Sequence, residues 1–215
     1  FQLETLEDIV ESLPSFPELH SPHSQLYQLL GRTVEREAKE NFSGESKSVN
    51  FKTVFRDLHF PFHSMGAITS LHLFGIDELV MFSFYWKNRD RYKKTLDLGA
   101  NIGLHTLVMN NCGYETTCFE PDPETFSVLM RNLDLNKCRK VTPMNSAVSS
   151  RAGKMEFVRV VGNKTGSHLA GSKSNAYGDL EKFLVNVEAF VPLLKSVDFA
   201  KIDVEGHEKE LILST

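Results

Sequence analysis

Lys94-Thr95-Leu96-Asp97-Leu98-Gly99-Ala100-Asn101-Ile102-Gly103-Leu104-His105-Thr106-Leu107 is the stretch that decides the fold. Residues 95–98 are apolar-biased and read as a short buried strand. Two glycines then bracket Ala100-Asn101-Ile102. A helix pattern follows at once, with Ile102, Leu104, Leu107 and Val108 apolar. Strand, glycine turn and helix in succession place a ligand at a helix N-terminus, where free N–H groups and the dipole favour an anion. Gly99 lets the turn fold tightly and a ligand approach the backbone. Glu120 follows roughly 20 residues after the turn, at the end of a second apolar strand, 116–119. An acid at that position is placed to bind both hydroxyls of a ribose.

The spacing narrows the ligand. It is Asp97-x-Gly99-x-x-x-Gly103 rather than the G-x-G-x-x-G that cradles a pyrophosphate. Asp97 beside the turn opposes a phosphate and suits the ammonium of an amino acid. A ligand that combines a ribose, an ammonium and a carboxylate is S-adenosylmethionine. The competing reading is a glycine-bracketed turn that binds nothing.

Five blocks of sequence resemble the successive motifs of FkbM-family methyltransferases. They are residues 97–103, Phe119-Glu120-Pro121, Asn132 with Asn136, Ala147-Val148-Ser149, and Lys201-Ile202-Asp203-Val204-Glu205-Gly206. The resemblance covers about 76–213, in the right order, and leaves the first third of the chain uncovered. It implies a class I, S-adenosylmethionine-dependent enzyme, in a family with many O-methyltransferases of sugars and natural products. It also implies an α/β, Rossmann-like sheet with helices on both faces and seven strands in the order 3-2-1-4-5-7-6.

Composition bounds the remainder. At 215 residues, 41% hydrophobic and 24% charged, the chain fits a soluble globular protein of one domain with room for a helical extension. A net charge of -4 argues against general nucleic-acid binding. No apolar run is long enough to span a membrane. Cys112, Cys118 and Cys138 have no metal-ligand spacing, and an odd count without a framework points to reduced thiols and a cytoplasmic setting. The chain starts at Phe1 rather than Met, so a longer natural protein is expected.

Taken in order, Thr5 caps a first helix with Leu6, Ile9, Val10 and Leu13 inward. A second begins near Ser21-Pro22 and runs through Val34 to a charged end at 35–40. Residues 41–50 read as a linker, so 1–50 form a mainly helical N-terminal extension, a candidate homo-oligomer contact. Residues 51–215 form the S-adenosylmethionine-binding domain. Within it, 51–73 read as short strands broken at Pro61 and Gly66, and 77–89 as a helix. A helix over 124–135 turns Phe126, Leu129, Met130 and Leu133 inward. A third strand lies within 141–148, an inserted strand at 154–161, a glycine-containing candidate lid at 162–179, an apolar run at 185–190, a short helix at 191–196 and a fourth main strand at 199–204. The last three strands of the class are expected beyond Thr215, so the C-terminal strands are missing and the fourth strand is expected at a sheet edge.

Methyl transfer from a sulfonium is an in-line displacement that needs the acceptor oxygen opposite the methyl group and water kept out. Ligands of open α/β sheets lie at the carboxyl ends of the strands. Asp97, Gly99, Asn101 and Gly103 are accordingly assigned to the methionine part of the cofactor and Glu120 to the ribose. By analogy with the class, Ser146 and Ala147 lie near the adenine. Asp203 and Glu205, two apart on a strand and so on one face, look toward a glycan or small-molecule hydroxyl, as base or as ligands of a divalent cation. Asp203 capping the next helix is the structural alternative. His207 is a second base, and His105 and His168 are weaker ones. Lys201 is placed to pair with an acid across the sheet. The sequence thus predicts O-methylation, with a methyltransferase-like domain that binds cofactor without turnover as the alternative.

Overall fold

A computed structural model describes residues 4–15, 21–44, 53–172 and 178–215. Four parallel strands form the main sheet: β1 (Lys94–Leu98), β2 (Glu115–Phe119), β3 (Val141–Met144) and β8 (Phe199–Ile202), in the order β3-β2-β1-β8. Parallel neighbours need crossovers. α4 (Leu104–Asn111) joins β1 to β2, and α5 (Pro123–Leu135) joins β2 to β3. Side chains alternate along β1. Thr95 and Asp97 face α4, where they meet Met109 and Thr106, while Leu96 and Leu98 enter a core with Phe119, Phe190 and Leu211. Phe190 and Leu211 come from α6 (Phe190–Leu194) and α7 (Glu208–Leu213), so helices cover both faces. This is the expected α/β, Rossmann-like layering. β8 pairs with β1 alone among the described residues, as an edge strand does.

The N-terminal third packs onto the α4 face. Thr5 closes a capping box on α1 (Leu6–Ser12), with Asp8 answering from the third helical position. α2 (Gln25–Phe42) starts at its cap Ser24, later than Ser21-Pro22, and continues through two residues read as linker. Residues 45–50 of that linker lie outside the described residues. α3 is Ile76–Lys87. One apolar cluster runs from Leu6 and Ile9 through Phe55, Phe74 and Phe82 to Leu107 and Leu129. Phe199, at the start of β8, is ringed by Phe84 and Tyr85 of α3 with Tyr92 and Tyr114.

Residues 53–73 do not form the expected strands. Phe55 and Phe60 fill the core from turns while Phe62 stays exposed, with isolated bridges at Ser64–Thr69 and Gly66–Asn163 and a 3-10 turn at Ser70–Phe74. Alternation over a few aromatic residues looks the same in a strand and in a packed turn. Met130 is exposed, because the buried stripe of α5 is Val128, Leu129 and Leu133.

The anticipated third strand is two strands. After β3 the chain turns at Asn145-Ser146, and β4 (Ala147–Ser149) enters a second sheet with β5 (Gly153–Val160), β6 (His168–Leu169) and β7 (Leu180–Ala189), in the order β4-β7-β5-β6. The apolar run at 185–190 is the second half of β7 followed by Phe190, the first residue of α6. Residues 173–177 of the candidate lid lie outside the described residues. No helix among the described residues is long and apolar enough to cross a membrane.

One clamp joins the sheets. Arg159 of β5 donates from Nε and Nη2 to both oxygens of Asp122 (2.6 and 2.9 Å), and from Nη1 to Glu124 (2.7 Å) and Glu181 (2.8 Å). Asp122 is also the cap of α5. Removing one member of a buried pair leaves the other charge uncompensated. Arg159→Ala is expected to lower stability to urea by about 3–5 kcal/mol. A loss under about 1 kcal/mol, the value of a surface pair, would show that the clamp does not hold the sheets.

Candidate functional site

The site follows from register. Leu98 stands opposite Phe119 on one side and Ile202 on the other, and Phe119 opposite Met144. The strands therefore end level. The next residues, Gly99, Glu120, Asn145 and Asp203, emerge side by side at their carboxyl ends. A cavity of about 330 Å³ opens there, and its wall includes Gly99, Asn101, Glu120, Ser146, Ala147, Asp203 and Glu205.

Glu120 organises this wall. The Asn101 N–H donates to its Oε2 and the Asp122 N–H to its Oε1, both at 2.9 Å. Asn101 takes the left-handed conformation (φ 52°) that presents its N–H. Burial pushes the Glu120 carboxyl up to about 7, against the pull of these two hydrogen bonds. Ser146 is 3% exposed, and its buried Oγ has no hydrogen-bond partner among the described residues. A buried hydroxyl without a partner calls for an explanation, and a bound ligand is one.

The roof has no sequence motif. It comes from Ile68, His72 and Leu73 on one side and from Lys164, Thr165, Ser167, His168 and Leu169 on the other. The two halves are pinned together. The Ala67 N–H donates to the Gly162 carbonyl (2.7 Å) and the Lys164 N–H to that of Met65 (3.1 Å). Gly66 is required at this contact, since a Cβ would lie 1.7 Å from the Gly162 oxygen. Contacts between segments a hundred residues apart leave no periodic trace.

Asp97, Gly103 and His207 are not on this wall. Asp97 is fully buried beneath the turn; it accepts from the Thr106 hydroxyl (2.6 Å) and lies 3.2 Å from the Lys201 ammonium. The cross-sheet partner expected for Lys201 is therefore Asp97, directly opposite it in register. Lys201 also donates to the Gly99 carbonyl (3.0 Å). Burial alone would depress the Lys201 pKa, but Asp97 and Asp203 reverse this and raise it. The charge of Asp97 is thus matched inside the protein by Lys201 and the Thr106 hydroxyl. Gly103 (φ 94°) caps α4 against Leu129. His207 is buried in a separate hollow, between the hydroxyls of Ser149 (2.9 Å to Nε2) and Ser172 (3.0 Å to Nδ1).

Asp203 and Glu205 both line the cavity, but not through strand alternation. β8 ends at Ile202, and Glu205 sits in a left-handed turn (φ 55°). Asp203 does not cap the following helix. The Glu208 carboxylate closes that turn instead, accepting from the N–H groups of Val204 and Gly206 (both 2.9 Å). His168 is a buried member of β6 on the cavity wall rather than part of a loop; its Nδ1 lies 2.9 Å from the Gly166 carbonyl. His105 lies between Tyr85 and Glu78, and the sequence reading missed Glu78 although it too lines the cavity. No cluster of three or more potential metal ligands occurs among the described residues.

Comparison with known proteins points one way. The model of the methyltransferase FkbM domain matches residues 97–214. Hexuronic acid methyltransferase AglP of Haloferax volcanii is 29% identical over 118 residues, 54% of this chain and 47% of that protein. Methyltransferase 1 of Beauveria bassiana is 28% identical over 141 residues, 54% of this chain and 56% of its own. The chain spans about half the length of these curated relatives. A crystal structure described as a SAM-dependent methyltransferase from Agrobacterium tumefaciens aligns with a TM-score of 0.31 and 19% identity, over 33% of this chain and 24% of that one.

Two outcomes follow from the geometry. A Cβ on Gly99 (φ 75°) would stand 1.8 Å from the Asp203 carbonyl oxygen, so Gly99 is needed first for the strand ends to meet. Gly99→Ala is expected to cost more than about 2 kcal/mol in urea unfolding; full stability with lost nucleoside binding would put the ligand, not Asp203, against Gly99. Glu120 ties stability to pH. Its folded pKa of about 7 lies above the 4.5 of an ordinary glutamate. Its contribution is therefore complete below the unfolded value and lost as pH rises through about 7, a change of roughly 3 kcal/mol. Stability of the free protein should fall over that window, and Glu120→Gln should remove that part of the slope. An identical slope in the variant would contradict the assignment.

Proposed function

The chain belongs to the FkbM methyltransferase domain family, and from that premise we propose that it transfers the methyl group of S-adenosylmethionine to a hydroxyl of a sugar or other small acceptor. The observation that carries this reading is Glu120, a cavity carboxylate fixed by two backbone N–H groups at the end of β2 and beside the glycine turn. Each oxygen keeps a lone pair for a ribose hydroxyl.

The residues present fit the cofactor. Glu120 would hold the ribose. The unpartnered Ser146 hydroxyl and the Ala147 backbone would meet the base. Gly99 and Asn101 would border the methionine portion. When bound, the cofactor supplies a methyl group on a positively charged sulfur. The protein's part is to exclude water, orient the acceptor and take its proton. The roof formed by Leu73, Leu169 and their neighbours limits water. Asp203, exposed and on the wall, is the proton acceptor in this reading, with Glu205 beside it. His207, in its own hollow, takes no part. A sugar hydroxyl is favoured by the relative named for hexuronic acid methylation.

The test is labelled methyl transfer to a panel of uronic acids, neutral sugars and phenols. Asp203→Asn should cut turnover roughly 10²-fold and leave S-adenosylhomocysteine affinity nearly unchanged. Wild-type turnover in that variant would place the base elsewhere. Cofactor binding with no transfer to any hydroxyl would support a binding domain instead.

A further inference from the structure

A cavity carboxylate that no motif announces comes from α3. Glu78 lies in the first turn of α3, outside the segment matched by the family model, and its side chain lines the cavity with Gly99 and Asp203. An acid in a first helical turn is common and by itself means little. This one is held in place. His105 Nε2 lies 2.8 Å from Glu78 Oε2, and the Tyr85 hydroxyl lies 3.0 Å from His105 Nδ1. A carboxylate only accepts, so His105 Nε2 carries a proton and donates to Glu78. Tyr85 is fully buried and stacked on Phe199, and the Tyr114 hydroxyl donates to its carbonyl (2.6 Å). His105 belongs to α4, the helix that the glycine turn opens. The chain Tyr85–His105–Glu78 thus fixes a carboxylate relative to that turn.

Asp97 and the Gly99 carbonyl, beneath this end of the cavity, are already engaged. The Asp97 charge is matched by Lys201, and the Gly99 carbonyl accepts from the same ammonium. Asp203 lies 3.6 Å from Lys201. Burial pushes the Glu78 carboxyl up, but the His105 hydrogen bond and charge outweigh it, and the net shift is downward, so the group is an anion.

We propose that Glu78, oriented by His105, receives the α-ammonium of the cofactor's amino-acid end, the role that the sequence pattern assigns to Asp97. This rests on the S-adenosylmethionine reading above. Glu78 then selects ligands with a cationic tail, and His105 is a positioning residue.

Calorimetric titration of the whole chain with three ligands tests this. S-Adenosylhomocysteine carries the ammonium and the carboxylate. S-Adenosyl-3-thiopropylamine keeps only the ammonium. 5′-Methylthioadenosine has neither. Glu78→Gln should weaken the first two about 10- to 100-fold, the loss of one charge-assisted contact, and leave 5′-methylthioadenosine within about twofold. His105→Gln should shift the ligands in the same pattern, less strongly. Unchanged affinity for the two cationic ligands, or an equal loss for all three, overturns the proposal. If the wild-type chain binds none of them, the cofactor reading has failed and this inference falls with it.

Discussion

One buried carboxylate joins the parts of the site. Glu120 accepts from Asn101 in the glycine turn and from Asp122 at the start of α5. Both N–H groups belong to segments where the chain leaves a strand, and such groups need partners when buried. Placing a carboxylate there costs desolvation, visible in its raised pKa. That tension is a property of a binding site: hydroxyls of a ligand would supply the remaining hydrogen bonds to the charged form. The level ends of β1, β2 and β8 then bring Asp203 to the same wall.

Beneath this wall the charges balance in pairs. Asp97 and Lys201 face each other across β1 and β8, and Lys201 also fixes the Gly99 carbonyl. Asp122 caps α5 and receives the forked contact of Arg159. The first pair supports the floor and the second supports the arm that carries the roof. A residue type can therefore match a ligand's chemistry and still serve the scaffold, as Asp97 does. Glu78, which lines the cavity, comes from a helix, α3, that the motif does not cover.

The nucleotide-binding core was legible because its signals are local. A strand, a glycine turn, a helix and a following acid fall within about 25 residues, and the strand order agrees with the reading. Glu120 was read from its spacing after the turn, Asp203 from its strand end and Ser146 by analogy with the class, and all three line the cavity. What was not legible depends on long-range contact. Apolar residues such as Phe55 and Phe60 show the same pattern whether they pair as a strand or plug a core from turns. The break between β3 and β4 is a change of sheet at Asn145-Ser146, with no proline or glycine to mark it. His207 looked like a base because it follows Asp203 and Glu205, yet the turn at Glu205 and Gly206 carries it into another hollow. The roof needed Gly66 to meet Gly162, a contact that a single sequence does not record.

The central claim is that the cavity at these strand ends is the nucleoside site, with Glu120 as its ribose anchor. A crystal structure of the chain with S-adenosylhomocysteine tests it most directly. The account predicts both ribose hydroxyls within hydrogen-bonding distance of the Glu120 carboxylate, with the base against Ser146 and Ala147. A ligand seated elsewhere, or with its ribose turned away from Glu120, would contradict it.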